Sequence, residues 1–187
     1  MNRFNYQKAV QVVNFFAIKE GGRINKMKAL KLLFLSDRLH LRSYSRPIVN
    51  DEYFAVKLGP IASETKNIIY WDHPNQEYID YVNKFLNQAH NYFIKSVASV
   101  QTEVFSKSDL KVLEKIYSEF GHLSQFNLSD VTHEFPEWKK FEDQIKSFGG
   151  RYPMDYKDFF EDLNSEDKVF VSNRELVDIS KSLYLHG

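Results

Sequence analysis

KLLFLSDRLHLRSYSRPIVNDEYFAVKLGPIASE, residues 31–64, sets an ionisable cluster inside an apolar helical run and then leads through a strand to a Gly-Pro turn. Asp37, Arg38 and His40 sit among leucines, and polar groups in such a setting must be paired in a hydrogen-bond network or serve a site. The helix runs from about Asn25 to Tyr44. Arg46-Pro47 ends it, since the residue before proline is pushed out of the α region. Glu52 to Leu58 alternates Tyr53 and Ala55 with Phe54 and Val56, as a short strand covered on both sides does. Gly59-Pro60 then opens a short helix to about Tyr70, because proline at the first helical position loses no hydrogen bond.

At 100° per residue, Leu30, Leu33, Phe34, Leu41 and Tyr44 share one side of the long helix with Asp37 at their centre. Leu32, Leu35 and Leu39 take the opposite side, beside a basic stripe of Lys28, Lys31, Arg38 and Arg42. A helix apolar on two sides is either central in the core or keeps one side for a partner. The stripe, with Leu35 and Leu39 beside it, is the expected exposed partner surface. For Asp37 the expected partners are Lys57 or the free N–H groups at the start of the Pro60 helix, where unpaired donors and the helix dipole favour an anion.

Outward from this stretch, Phe4 to Lys19 is a helix stopped by Gly21-Gly22. Trp71 to Asn75 reads as a loop and Gln76 to Asn87 as a surface helix. Tyr92 to Phe105 reads as a bent strand or hairpin beside the first strand. Ser108 to Phe120 is helical, with Ser106 or Ser108 as cap and Gly121 as stop. Ser124 to His133 is a short helix closed before Pro136, Met154 to Leu163 another, and Ser172 with Glu175 forms a capping box for a last one. The expected fold is α+β and predominantly helical, with helices around a small antiparallel sheet. Residues 1–164 form one domain, with 165–187 as its C-terminal helical appendage.

The 187 residues are 43% hydrophobic and contain no cysteine, so a sizeable core is possible and no disulfide or thiolate site exists. The N-terminal apolar run is broken by Gln11 and Asn14, lacks a cleavage site, and no stretch reaches 18 apolar residues. These features fit a cytoplasmic protein without a membrane span. Ten Lys or Arg against Glu20 and Asp37 in residues 1–50 give +8, which leaves −8 for the remainder of a neutral chain. Such asymmetry favours an acidic partner or nucleic acid at the N-terminal face.

Asp37, His40 and His133 are the residues for a small hydrolase. Without an HExxH pattern, a dense His/Asp set or a GxSxG elbow, neither a metal site nor a nucleophile is expected, and no cofactor. His133 then finishes a helix near its negative end, and Trp138 covers the core edge. Glu64, in the first turn of its helix, complements the dipole.

KLLFLSDRLHL, SRPI, EYFAVKLGPIASE and LSDVTHEFPEWKKF follow one another between Val10 and Phe141 in an order that resembles the Panacea, or SocA-like antitoxin, domain of bacterial and phage toxin–antitoxin systems. The resemblance implies a protein that neutralises a toxin encoded by an adjacent gene, by binding it. Asp37, His40, Lys57, Gly59, Pro60, Ser63, Glu64, Thr132, His133 and Trp138 carry the motif and are expected to form its structural network. A DNA-binding autorepressor, supported by the basic stripe of the long helix, is the alternative, disfavoured by the neutral pI and the lack of a recognition-helix motif. Partner specificity would reside in the tail after Leu163.

Overall fold

The computed structural model describes residues 3–163, 169–170 and 174–187. Asn5 caps α1 (Tyr6–Lys19), and Gly21 and Gly22, at φ +79° and +95°, turn the chain into β1 (Arg23–Asn25). Asn25 caps α2 (Lys26–Tyr44), the axis of the molecule. Every residue of α2 from Lys28 to Arg42 is buried, so its two apolar sides mean a central helix. Phe34 stands near its middle, with edge contacts to Tyr53, Phe135 and Phe159 at 5.4–5.7 Å. Packing of this kind adds to area burial.

β2 (Tyr53–Val56) and β3 (Gly59–Ala62) form a hairpin with Lys57 and Leu58 at its tip. The helix expected from Pro60 therefore starts later, as α3 (Ser63–Ile69). Pro60 is tolerated because β3 is an edge strand, with no neighbour beyond it to receive the missing N–H. α4 (Gln76–Asn83) is shorter than expected, because Leu86 onward turns into β4 (Leu86–His90), paired with β5 (Phe93–Ser96).

Instead of one sheet, two three-stranded antiparallel sheets form among the described residues, in the orders β1-β5-β4 and β3-β2-β6. The expectation that Tyr92 to Phe105 joins the Tyr53 strand is thus corrected: β5 is flanked on both edges by β1 and β4 and has none left for β2. The α+β, predominantly helical class stands.

α5 (Lys107–Phe120) begins at a capping box of Ser106 with Asp109, and α6 (Gln125–His133) at Ser124. After α7 (Pro136–Lys139) and α8 (Glu142–Phe148), β6 (Tyr152–Pro153) pairs with Phe54 and Ala55. The expected helix from Met154 is a tight turn at Tyr156–Phe160 that begins at Asp155. α9 (Arg174–His186) lays Tyr184 against Tyr156 and Phe160. The Ser172 capping box and the boundary at residue 164 lie outside the described residues.

Candidate functional site

The polar side chains of α2 each engage a different wall of the core. Asp37 is fully buried, and its Oδ1 accepts from the Ile48 and Val49 N–H groups at 2.8 and 3.1 Å while Oδ2 accepts from the Tyr53 hydroxyl at 3.0 Å. Neither Lys57 nor the start of α3 is its partner, which corrects that expectation. Three neutral donors do not offset the loss of solvent, so burial pushes the Asp37 carboxyl up to about 7. The donors at the start of α3 go instead to Asp51, which accepts from the Glu64 and Thr65 N–H groups at 2.9 and 2.8 Å and from the Thr65 hydroxyl. A signal for Asp51 exists in the sequence, since Ala62 supplies no capping side chain and the orphan donors need an acceptor from elsewhere.

His40 faces α5. Its Nδ1 donates to the Arg46 carbonyl at 2.7 Å, and Nε2 lies 3.0 Å from both Ser108 Oγ and Asp109 Oδ1. Asp109 also takes Lys8 at 2.6 Å and Arg46 at 2.8 Å. Burial opposes its charge, yet the hydrogen bonds from His40, Lys8 and the Ser106 N–H hold its carboxyl well below the usual carboxylate range. Asp37, His40 and His133 thus bond to separate surroundings and do not converge.

The basic stripe is buried, which corrects the exposure expected of it. Lys28 bonds the Gly121 carbonyl and Glu20, each within 2.8 Å. Arg38 and Glu137 are both fully enclosed, with Nε 2.7 Å from Oε1, and the guanidinium lies over Phe135 and donates to the Glu161 carbonyl. Burial pushes the Glu137 carboxyl up, and Arg38 beside it pulls the other way. Arg42 donates to the carbonyls of Phe159, Glu161 and Phe170 and to Asp162. Leu35 and Leu39 are buried as well, so a partner reaching this face would have to displace the chain's own contacts. The autorepressor alternative drew on the same stripe and loses that support.

Much of the charge asymmetry is consumed internally. Lys8, Lys19, Arg38, Arg42 and Arg46 all pair with acids beyond residue 100.

The remaining motif residues gather around the β2–β3 hairpin. Gly59 has φ +91°, and a Cβ there would lie 2.6 Å from Thr132 Oγ1 and 3.0 Å from Lys31 Nζ. Glycine lets the turn close onto both. Lys31 donates to the Pro60 carbonyl at 2.7 Å, Ser129 to that of Leu58 at 2.9 Å, and Trp138 Nε1 to that of Val56 at 3.0 Å. His133 stacks on Trp138 at 3.9 Å, its Nε2 is enclosed without a partner among the described residues, and burial and Lys31 lower its basicity. Ser63 receives Arg151, and Glu64 meets His73.

Beside this hairpin lies an open apolar groove, unforeseen from sequence. One cavity of about 460 Å³ is lined by Met27, Tyr70, Tyr92, Phe93 and Phe126 among others, and an adjoining one of about 410 Å³ by Leu30, Val56 and Ile61; Met27, Leu58 and Tyr70 belong to both. Leu58 is 49% exposed, Tyr92 65% and Phe126 61%. Large apolar groups clustered at one opening mark an interaction site more readily than the same groups scattered singly. The signal in sequence is Leu58 at a hairpin tip, where a polar residue is the rule.

No group of three or more His, Asp or Glu among the described residues could hold a metal ion, and no described helix is long and apolar enough to cross a membrane. Compared with known families, residues 30–139, more than half of the chain, match the model of the antitoxin SocA-like Panacea domain. No curated protein and no solved structure matches the chain.

Proposed function

We propose, since the chain belongs to the SocA-like Panacea antitoxin family, that it neutralises a toxin encoded by an adjacent gene through direct protein–protein binding, with the groove beside the β2–β3 hairpin as the contact. The family implies a cognate toxin. The observation that supports the binding mode is the groove itself: Leu58, Tyr70, Tyr92 and Phe126 gather at one opening and are left uncovered. Buried aromatic anchors supply most of the energy of such interfaces, with charges at the rim acting mainly on association rate. Acting as a stoichiometric binder in the cytoplasm, the protein needs neither cofactor nor turnover.

The test is co-expression. The adjacent gene alone should arrest growth, the pair should grow, and the two products should co-purify. Rescue without association, or hydrolysis by the purified chain, would overturn the proposal.

A further inference from the structure

The groove carries an unusual charge. Lys31 lines its second cavity, is only 3% exposed, and enters no ion pair among the described residues. Its single acceptor among the described residues is the Pro60 carbonyl, so an ammonium with three donors has hydrogen-bonding capacity to spare. The titratable groups around it are Lys57 at the hairpin tip, Tyr70 at the end of α3 and His133 on α6, with Lys26 farther along its own helix. Lys26 is buried too, its ammonium 4.2 Å over the Tyr70 ring. Neither cavity is lined by an Asp or a Glu. Within these two cavities the cationic groups stand in an apolar setting without a carboxylate; Glu142 lines the neighbouring cavity with Lys57 and His133. Burial alone, unopposed by any acid, brings the Lys31 amine down to about 7.

Building on the toxin-binding proposal, we infer that the groove receives a segment of the partner protein in which an acidic side chain is flanked by apolar or aromatic ones, and that this carboxylate settles against Lys31. Charge complementarity selects this occupant. A purely apolar segment would cover Lys31 further and force it to give up its proton, whereas a carboxylate pairs the ammonium. A basic segment would meet Lys26, Lys31 and Lys57. The carboxylate would hold the proton on Lys31, so complex formation takes up a proton when pH lies above the free amine's midpoint and below the bound one's.

The experiment uses the purified full chain and the adjacent-gene product, titrated against each other by calorimetry at pH 6.5, 7.5 and 8.5 in two buffers of different ionisation heat. Affinity of the parent should fall as pH rises above 7, at most about tenfold per unit, with proton uptake visible as a buffer-dependent heat. Lys31→Met should bind at least tenfold more weakly at pH 6.5 and show no proton uptake; because it removes a desolvated charge but also frees the Pro60 carbonyl, its fold is checked by circular dichroism. Phe126→Asp, at an exposed position, should weaken binding without altering the fold. A complex whose affinity is the same for Lys31→Met and flat with pH would overturn the inference and leave direct binding standing. Absence of any complex would overturn the binding proposal, and this inference with it.

Discussion

Replacing Asp37 by asparagine separates the two consequences of burying a carboxylate among neutral donors. Its folded value of about 7 against the ordinary 3.8 means that the native state holds a proton which the unfolded chain has already released. Between those values stability falls as pH rises, because the folded form binds more protons. At about 1.36 kcal/mol per unit, the cost reaches roughly 4 kcal/mol above pH 7 and is below about 2 kcal/mol at pH 5. The carbonyl of the substituted amide can still accept from the Ile48 and Val49 N–H groups, and its NH₂ can donate to the Tyr53 oxygen. Urea denaturation at pH 5 and pH 8 should therefore show Asp37→Asn gaining roughly 2–3 kcal/mol on the parent over that interval. Asp51, pushed up by burial to about 6, titrates in both proteins, and its charge adds to the rise of Asp37. Asp37→Ala leaves three donors stranded at about 1–3 kcal/mol each and should be the less stable variant at both pH values. Parallel profiles for Asp37→Asn and the parent would refute the reasoning, since they would mean a carboxylate ionised with its ordinary affinity.

Two further outcomes follow from the core. Glu137→Gln strands the enclosed Arg38 guanidinium and should cost about 3–5 kcal/mol by urea denaturation, whereas Arg38→Met combined with Glu137→Leu should recover most of it. Gly59→Ala places a methyl against Thr132 and Lys31 at a left-handed φ and should lower stability by about 1–3 kcal/mol, read as a drop in melting temperature.

Local patterns in the chain are legible and long-range partners are not. The 3.6-residue period exposes α2, and its apolar residues on two sides point to a central position. The buried network around Asp37 is visible as a need for partners, but opposite charge and free helix-start donors point to Lys57 and the α3 start, while the Ile48 and Val49 amides just past the helix end are the donors. Pro60 misleads, because proline suits both a first helical turn and an edge strand, and only the β6 pairing on the far side of β2 identifies β3 as the edge. The stripe of Lys28, Lys31, Arg38 and Arg42 looks solvated because the segments that cover it lie up to 128 residues away. Arginine rather than lysine at 38 and 42, with an acid surplus downstream, is the available hint that those charges stay inside.

Arg38 and Arg42 grip the carbonyls of Phe159, Glu161 and Phe170, and a main-chain oxygen is the same whatever residue bears it. The hands are within residues 30–139, matched by the family, and the rope they hold is outside. Such a clasp is blind to side-chain identity at its carbonyl points, so exposed positions such as Lys157 and Glu161 can vary without loosening the segment from α2, while Phe159, Phe160 and Phe170 are held by the core. The exposed C-terminal surface can therefore be rewritten while the seat beneath it stays fixed.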